Sequence, residues 1–133
     1  MTASLGRIML FAKDREAMVA FYTEHFDYIA RRLPEDDLIE LEPEAGGLPL
    51  LLHRTSRAKT PGQGAVKLVF DVPDVAAFVA DAAEAGLVFG KIFNGNGYVF
   101  ANAKDPGGNA IQVSSRAFRA SKGAAAAQAG PGV

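Results

Sequence analysis

Three side chains in strand-like stretches of this sequence have the chemistry to move a proton: Glu40, His53 and Asp71. A carboxylate or an imidazole serves as general base or acid when it is held within hydrogen-bond reach of a reacting group. Two further residues, Arg7 and Lys67, carry positive charge that could stabilise a developing enolate or carboxylate. Glu40, His53 and Asp71 are also the available donors for a metal ion, but one histidine and two acids on separate strands form no recognised ligand spacing. The other histidine, His25, falls in a helical pattern as a surface or packing residue. Cysteine is absent, which removes disulfides, thiolate chemistry and cysteine-based zinc sites. No nucleophile–base triad and no phosphate-cradling glycine loop is present. Gly95-Asn96-Gly97 sits in a hairpin turn and opens no helix, so it is not a dinucleotide-binding fingerprint.

The elements that must position these residues are organised by a repeat. Residues 7–14, Arg-Ile-Met-Leu-Phe-Ala-Lys-Asp, return 60 positions later as Lys-Leu-Val-Phe-Asp-Val-Pro-Asp at 67–74. Arg7 and Lys67 therefore open equivalent strands, and the symmetry of such a repeat predicts that both approach one cup, within a chain or across a dimer. Each strand ends in an aspartate placed to cap a helix, Asp14 and Asp74, whose side chain can accept from an unpaired first-turn N–H. Helical spacing follows: Met18, Phe21, Tyr22 and His25/Phe26 in the first copy, and Val75, Phe78, Val79 and Ala82 in the second. Gly86 is placed to end the second helix in a left-handed conformation.

Three strand-like runs follow each helix: Tyr28–Leu33, Asp37–Glu42 and Leu48–Arg54, then Leu87–Ile92, Tyr98–Ala103 and Ala110–Ser115. Turn residues punctuate them, among them Ala45-Gly46-Gly47 and Asp105-Pro106-Gly107-Gly108-Asn109. The expected architecture is α+β, with two tandem βαβββ modules (about 5–54 and 65–116) in one domain over 1–116. They form a curved, cup-shaped mixed sheet with helices on its outer face. Residues 55–64 read as the inter-module linker, and the Ala/Gly-rich 117–133 as a flexible tail.

Strand alternation sorts side chains onto two faces. Ile8, Leu10, Ala12, Leu50, Leu52, Leu68, Phe70, Val72, Ile111 and Val113 form a uniformly apolar side that must pack on the helices. The opposite side mixes aromatic, aliphatic and polar groups: Arg7, Met9, Phe11, Glu40, Leu51 and His53 from the first module. From the second come Lys67, Val69, Asp71, Tyr98, Phe100, Asn102, Gln112 and Ser114. An apolar lining with a few orienting polar groups has the character of a ligand cavity.

Composition bounds the partners. A chain of 133 residues with 49% hydrophobic and 22% charged residues is one domain's worth of globular protein. A net charge of −1 gives no general attraction to nucleic acid or anionic membrane. No apolar run approaches the roughly 18 residues of a membrane span, and the first residues lack the pattern of a signal peptide. A cytoplasmic location is expected.

With these residues in view, the sequence resembles the vicinal-oxygen-chelate superfamily, the glyoxalase/bleomycin-resistance/dioxygenase group. The resemblance rests on Arg7-Ile-Met-Leu-Phe-Ala-Lys-Asp14 leading into Met18-Val-Ala-Phe-Tyr22, on Lys67-Leu-Val-Phe-Asp-Val-Pro-Asp74, and on Asp105-Pro-Gly-Gly-Asn-Ala-Ile-Gln112. It covers about residues 5–116, and order, spacing and repetition together make it specific. It implies two βαβββ modules and, in metal-dependent members, ligands at positions that here hold Arg7, Lys67, Gln112 and Leu51. Arginine and protonated lysine have no lone pair to donate, leucine has none, and glutamine is a poor neutral ligand. The expectation is therefore no metal and no other cofactor.

Two functional expectations follow from the resemblance. In the first, the chain binds a small molecule with an aromatic or apolar body and an anionic group. Arg7, Met9, Phe11, Leu51, His53, Lys67, Tyr98, Phe100 and Gln112 would line the site, and Phe93 would add stacking surface. In the second, it is a glyoxalase-like lyase, isomerase or dioxygenase, metal-free or using a non-standard metal site, with Glu40, His53 or Asp71 as base. A structural or regulatory partner-binding domain is a third class, which no exposed amphipathic stretch supports. The resemblance also implies a homodimer.

Overall fold

In the computed structural model the described residues are 1–3, 5–55, 64 and 66–119. The chain divides into two compact units: residues 1–64 together with 105–109, and residues 65–104 together with 110–133. Most of the expected linker (56–63) and of the expected tail (120–133) lies outside the described residues. Among the described residues no helix is long and apolar enough to cross a membrane.

The first unit contains β1 (Ile8–Ala12), α1 (Arg15–Phe26), β2 (Tyr28–Arg31), β3 (Ile39–Pro43) and β4 (Leu50–Arg54). Its four strands form a mixed sheet in the order β1-β4-β3-β2, with β1 parallel to β4 and the other pairs antiparallel. The second unit contains β5 (Lys67–Asp71), α2 (Val75–Glu84), β6 (Phe93–Asn94), β7 (Val99–Lys104) and β8 (Ala110–Ser114). Its order, β5-β8-β7-β6, repeats the first unit strand for strand, again with one parallel pair. Each βαβββ module thus builds its own four-stranded sheet.

The helices start where the aspartates direct. Ala17 N donates to Asp14 Oδ1 at 3.0 Å and Ala77 N to Asp74 Oδ1 at 3.0 Å, so the 60-residue repeat extends to the cap atoms. Their ends differ. The second helix stops with Gly86 at φ 94°, after which Leu87 N reaches back to the Ala82 carbonyl at 2.8 Å. The first uses Asp27 at φ 56°, a residue type that tolerates the left-handed region better than most.

The apolar faces form the cores. Leu10, Ala12, Leu50, Leu52, Leu68, Ile111 and Val113 are buried, while Ile8, Phe70 and Val72 at the strand ends are partly covered. In the first unit α1 contributes Met18, Phe21 and Tyr22 to this layer. The Asp105–Asn109 turn joins the same unit through Asp105, which accepts the Tyr22 hydroxyl at 2.7 Å. Asp105 also receives Gly107 N, Asn109 N and Asn109 Nδ2. This buried carboxylate is fully occupied, and the Pro-Gly-Gly turn is wrapped around it.

One expected strand moved. Leu87–Ile92 forms no ladder; the two-residue β6 at Phe93–Asn94 takes its place. Leu87 and Phe89 are buried and Val88 and Gly90 exposed, so the alternation that suggested a strand is real. Only Gly90 N, bonded to the Asn102 carbonyl at 2.9 Å, ties the segment to β7 before β6 begins. Side-chain burial gave the period; the backbone pairing starts later.

Candidate functional site

Register fixes which side chains share the open face of each sheet, the face away from the buried apolar layer. In the first unit Phe11 stands directly opposite His53 and Met9 opposite Leu51. The Phe11 and His53 rings lie 5.2 Å apart. His53 Nδ1 donates to the Arg54 carbonyl at 2.6 Å, which makes Nε2 the ring nitrogen with the lone pair. Arg7, just ahead of β1, places Nε 3.7 Å from Glu40 Oε1, and the arginine side chain remains 58% exposed. Glu40 and Arg7 therefore form a loose, solvated ion pair of little energetic weight.

In the second unit two rows run across the sheet. Asp71, Ser114, Phe100 and Phe93 are successive partners on β5, β8, β7 and β6, and Val69, Gln112 and Asn102 form the next row. Asn102 is the hub of the second row. Its Oδ1 receives Lys67 Nζ at 3.0 Å and Gln112 Nε2 at 3.0 Å. Sequence alternation had placed Asn102 on this face, but parity carries no information about which polar group would link the others.

An aromatic line borders the first row. Phe93 stacks on Phe100 at 5.5 Å, and Tyr98 lies 5.9 Å from Phe100. Gly95 makes the position of Tyr98 possible: a Cβ there would come within 2.5 Å of the tyrosine ring. The hairpin is closed by Gly95 N on the Tyr98 carbonyl at 2.8 Å. Cations cap both ends of the line, Lys91 Nζ at 4.8 Å from the Phe93 centroid and Arg116 Cζ at 5.0 Å from that of Tyr98.

After β8 the chain makes a 3-10 turn, Arg116–Phe118. The expected tail began at residue 117, so its first residues belong to this turn. Ser114, expected on the open face, does lie there by register but is only 1% exposed. The cause is the turn itself, where Arg116 N donates to Ser114 Oγ at 3.1 Å and closes over it. Between turn and sheet is a pocket of about 380 Å³, lined by Val69, Asp71, Tyr98, Gln112 and Ser114 from the sheet side and by Arg116, Ala117 and Arg119 from the turn.

The candidate residues thus fall into two groups. Arg7, Met9, Phe11, Glu40, Leu51 and His53 share the face of the first unit. Lys67, Asp71, Tyr98, Phe100 and Gln112 belong to the second, where Asp71, Tyr98 and Gln112 line the pocket. Arg116 and Arg119 were not singled out from the sequence. Their signal was available: Arg-Ala-Phe-Arg has the i, i+3 spacing that eclipses two side chains on a 3-10 turn. Among the described residues no three His, Cys, Asp or Glu side chains come together as a metal-binding group.

Comparison with known proteins bears on this geometry. The family model for the Glyoxalase/Bleomycin resistance protein/Dioxygenase superfamily matches residues 4–113. A search of curated proteins finds no match. Among solved structures, TnmS3, an antibiotic binding protein from Streptomyces sp. CB03234, is similar with a TM-score of 0.71 and 22% identity, covering 84% of this chain and 94% of that one. A glyoxalase/bleomycin resistance protein from the same organism has a TM-score of 0.66 and 23% identity, covering 83% and 98%. Lactoylglutathione lyase from Agrobacterium tumefaciens has a TM-score of 0.63 and 21% identity, covering 85% and 93%. At these identities the likeness establishes the fold, and it holds for an antibiotic binder and a lyase alike.

Proposed function

We propose that this chain, which belongs to the Glyoxalase/Bleomycin resistance protein/Dioxygenase superfamily, is a small-molecule-binding protein that works without the metal of its catalytic relatives. Its ligand has an aromatic or apolar body and an anionic group. The observation that carries this reading is the pocket of about 380 Å³ on the open face of the β5-β8-β7-β6 sheet. That volume falls within the roughly 300–1,000 Å³ of small-molecule sites. Val69 and Tyr98 supply apolar wall, and Gln112, Asp71 and the two arginines supply polar contacts that orient a ligand. A structural likeness to a protein described as antibiotic-binding supports the same reading.

The residues at the family's metal positions do not fit a divalent cation. In the second unit Lys67 and Gln112 both direct N–H groups at Asn102; in the first, Arg7 carries a positive charge and Leu51 has no donor atom. A metal at any of these positions would meet a cation, an amide hydrogen or a hydrocarbon in place of a lone pair. On this reading Lys67, Phe100 and Gln112 floor the binding face of the second unit, and Arg7, Met9, Phe11, Leu51 and His53 are their counterparts in the first. The absence of cysteine suits a cytoplasmic setting, and a homodimer completes the proposal.

A thermal-shift screen of small aromatic acids and aromatic antibiotics tests the reading. Ligands are expected to raise the melting midpoint of the wild type and to lose most of that effect on Tyr98→Ala. A library that leaves the wild type unmoved contradicts it.

A further inference from the structure

We infer that Arg116 and Arg119 form the anion-recognition element of this pocket, selecting ligands that carry a carboxylate on a flat apolar body. The inference rests on the ligand-binding reading above and assigns its anionic contact to two residues of one turn.

The other arginines among the described residues all meet an oxygen. Arg7 and Glu40 pair, as do Arg31 and Glu42, while Arg32 makes two bonds to Glu16 at 2.7 and 2.8 Å. Arg54 lies 3.8 Å from Asp37, and Arg15 donates to the Asp37 carbonyl. All of these belong to the first unit, and all have an oxygen partner. Arg116 and Arg119, in the second, have none among the described residues. What they share is an aromatic ring, with Cζ at 5.0 and 6.0 Å from the Tyr98 centroid.

Two guanidiniums converging on one ring repel each other, and neither can relieve the repulsion by losing its proton, since arginine stays charged throughout the accessible pH range. Arg119 Nε adds a sharper sign. It is buried and has no hydrogen-bond partner among the described residues. A buried polar N–H without an acceptor is costly and uncommon in native proteins, and Arg119 is one of the residues that line the pocket. A carboxylate meets the need: it neutralises the paired charge and matches the planar fork of a guanidinium.

The rest of the pocket limits what the carboxylate is attached to. Val69 and the ring of Tyr98 offer apolar surface, and Phe100 and Phe93 extend the aromatic line. Asp71 lines the same pocket without coming within ion-pair distance of either arginine. Its negative charge opposes a second anion, so the site favours a single acidic group on an apolar body.

Isothermal calorimetry with 2-naphthoate and its neutral isostere 2-naphthamide tests the inference on the full chain. Wild type, Arg119→Gln, Arg116→Gln and Asp71→Asn would each be checked for folding by circular dichroism. The inference predicts that naphthoate binds the wild type at least 10-fold more tightly than naphthamide. It also predicts that each arginine substitution removes most of that preference, and that Asp71→Asn strengthens naphthoate binding. The gain in Asp71→Asn cannot come from a folding defect. If both compounds bind equally and the arginine variants bind as the wild type does, the anion assignment is overturned while the small-molecule reading stands. If neither compound binds the wild type, the anion assignment is overturned, and the small-molecule reading is decided by the thermal-shift screen.

Discussion

The hydroxyl of Tyr22 donates to Asp105 Oδ2 at 2.7 Å, joining α1 to a turn 83 positions further along the chain. Both groups are buried, and Asp105 holds three further donors from Gly107 and Asn109. The bond fixes the Asp-Pro-Gly-Gly-Asn turn, from which β8 departs with Gln112 and Ser114. Tyr22→Phe keeps the ring and removes the donor to a buried carboxylate, so it should cost about 1–3 kcal/mol of stability in urea unfolding. Burial, and secondarily the charge of Asp105, raises the Tyr22 phenol far above its usual 10.0. A group whose folded pKa is raised contributes stability that is complete below its unfolded value and is lost as pH climbs past it. Wild-type stability should accordingly fall above about pH 10, and fall less steeply in Tyr22→Phe. Equal slopes in the two proteins would contradict the assignment.

Gly95 and Tyr98 supply a local test of the aromatic wall. A methyl group at 95 collides with the ring at 2.5 Å, and because the ring is only half buried it can swing away. Gly95→Ala should therefore change stability by no more than about 1 kcal/mol while moving Tyr98 off its place beside Arg116. In proton NMR the ring-current shift of the Arg116 side chain should diminish. An unchanged shift would mean that Tyr98 does not pack as described.

Much of this arrangement is legible in the sequence, and the boundary of legibility has physical causes. Asp14 and Asp74 could be read as caps because capping depends on neighbours three residues away. The two-faced strands could be read because alternation is a local property, and Leu10, Leu52, Ile111 and Val113 are buried as the period requires. Leu87–Ile92 misled because burial of Leu87 and Phe89 alternates without a ladder beneath it. The role of Asn102 was hidden because its two partners lie on other strands, Lys67 on β5 and Gln112 on β8. Arg116 and Arg119 were hidden because an Ala/Gly-rich composition follows immediately after them, and only the folded turn shows that they face Tyr98.

The proposed lack of metal chemistry has a direct check. Elemental analysis of purified protein should find no stoichiometric zinc, nickel, iron or manganese, and a strong chelator should leave the melting midpoint where it was. About one equivalent of metal per chain would overturn the proposal that Arg7, Lys67, Gln112 and Leu51 have replaced a ligand set.

The dimer proposal is tested by sedimentation. Val88, Ile92 and Phe93 are exposed apolar residues within and just before β6, at the edge of the second sheet, and apolar surface of this kind favours association. The protein should sediment as a two-fold dimer at micromolar concentration. A monomer would remove the dimer without touching the fold.

The claim on which the account turns is that a small molecule occupies the open face of the second unit. Chemical-shift mapping on the ¹⁵N-labelled protein, with the strongest thermal-shift hit as titrant, tests it most directly. The account predicts that the largest saturable shifts cluster at Val69, Tyr98, Gln112, Ser114 and Arg116, the walls of the pocket. Saturable shifts confined to other parts of the chain, with these amides unmoved, would contradict it.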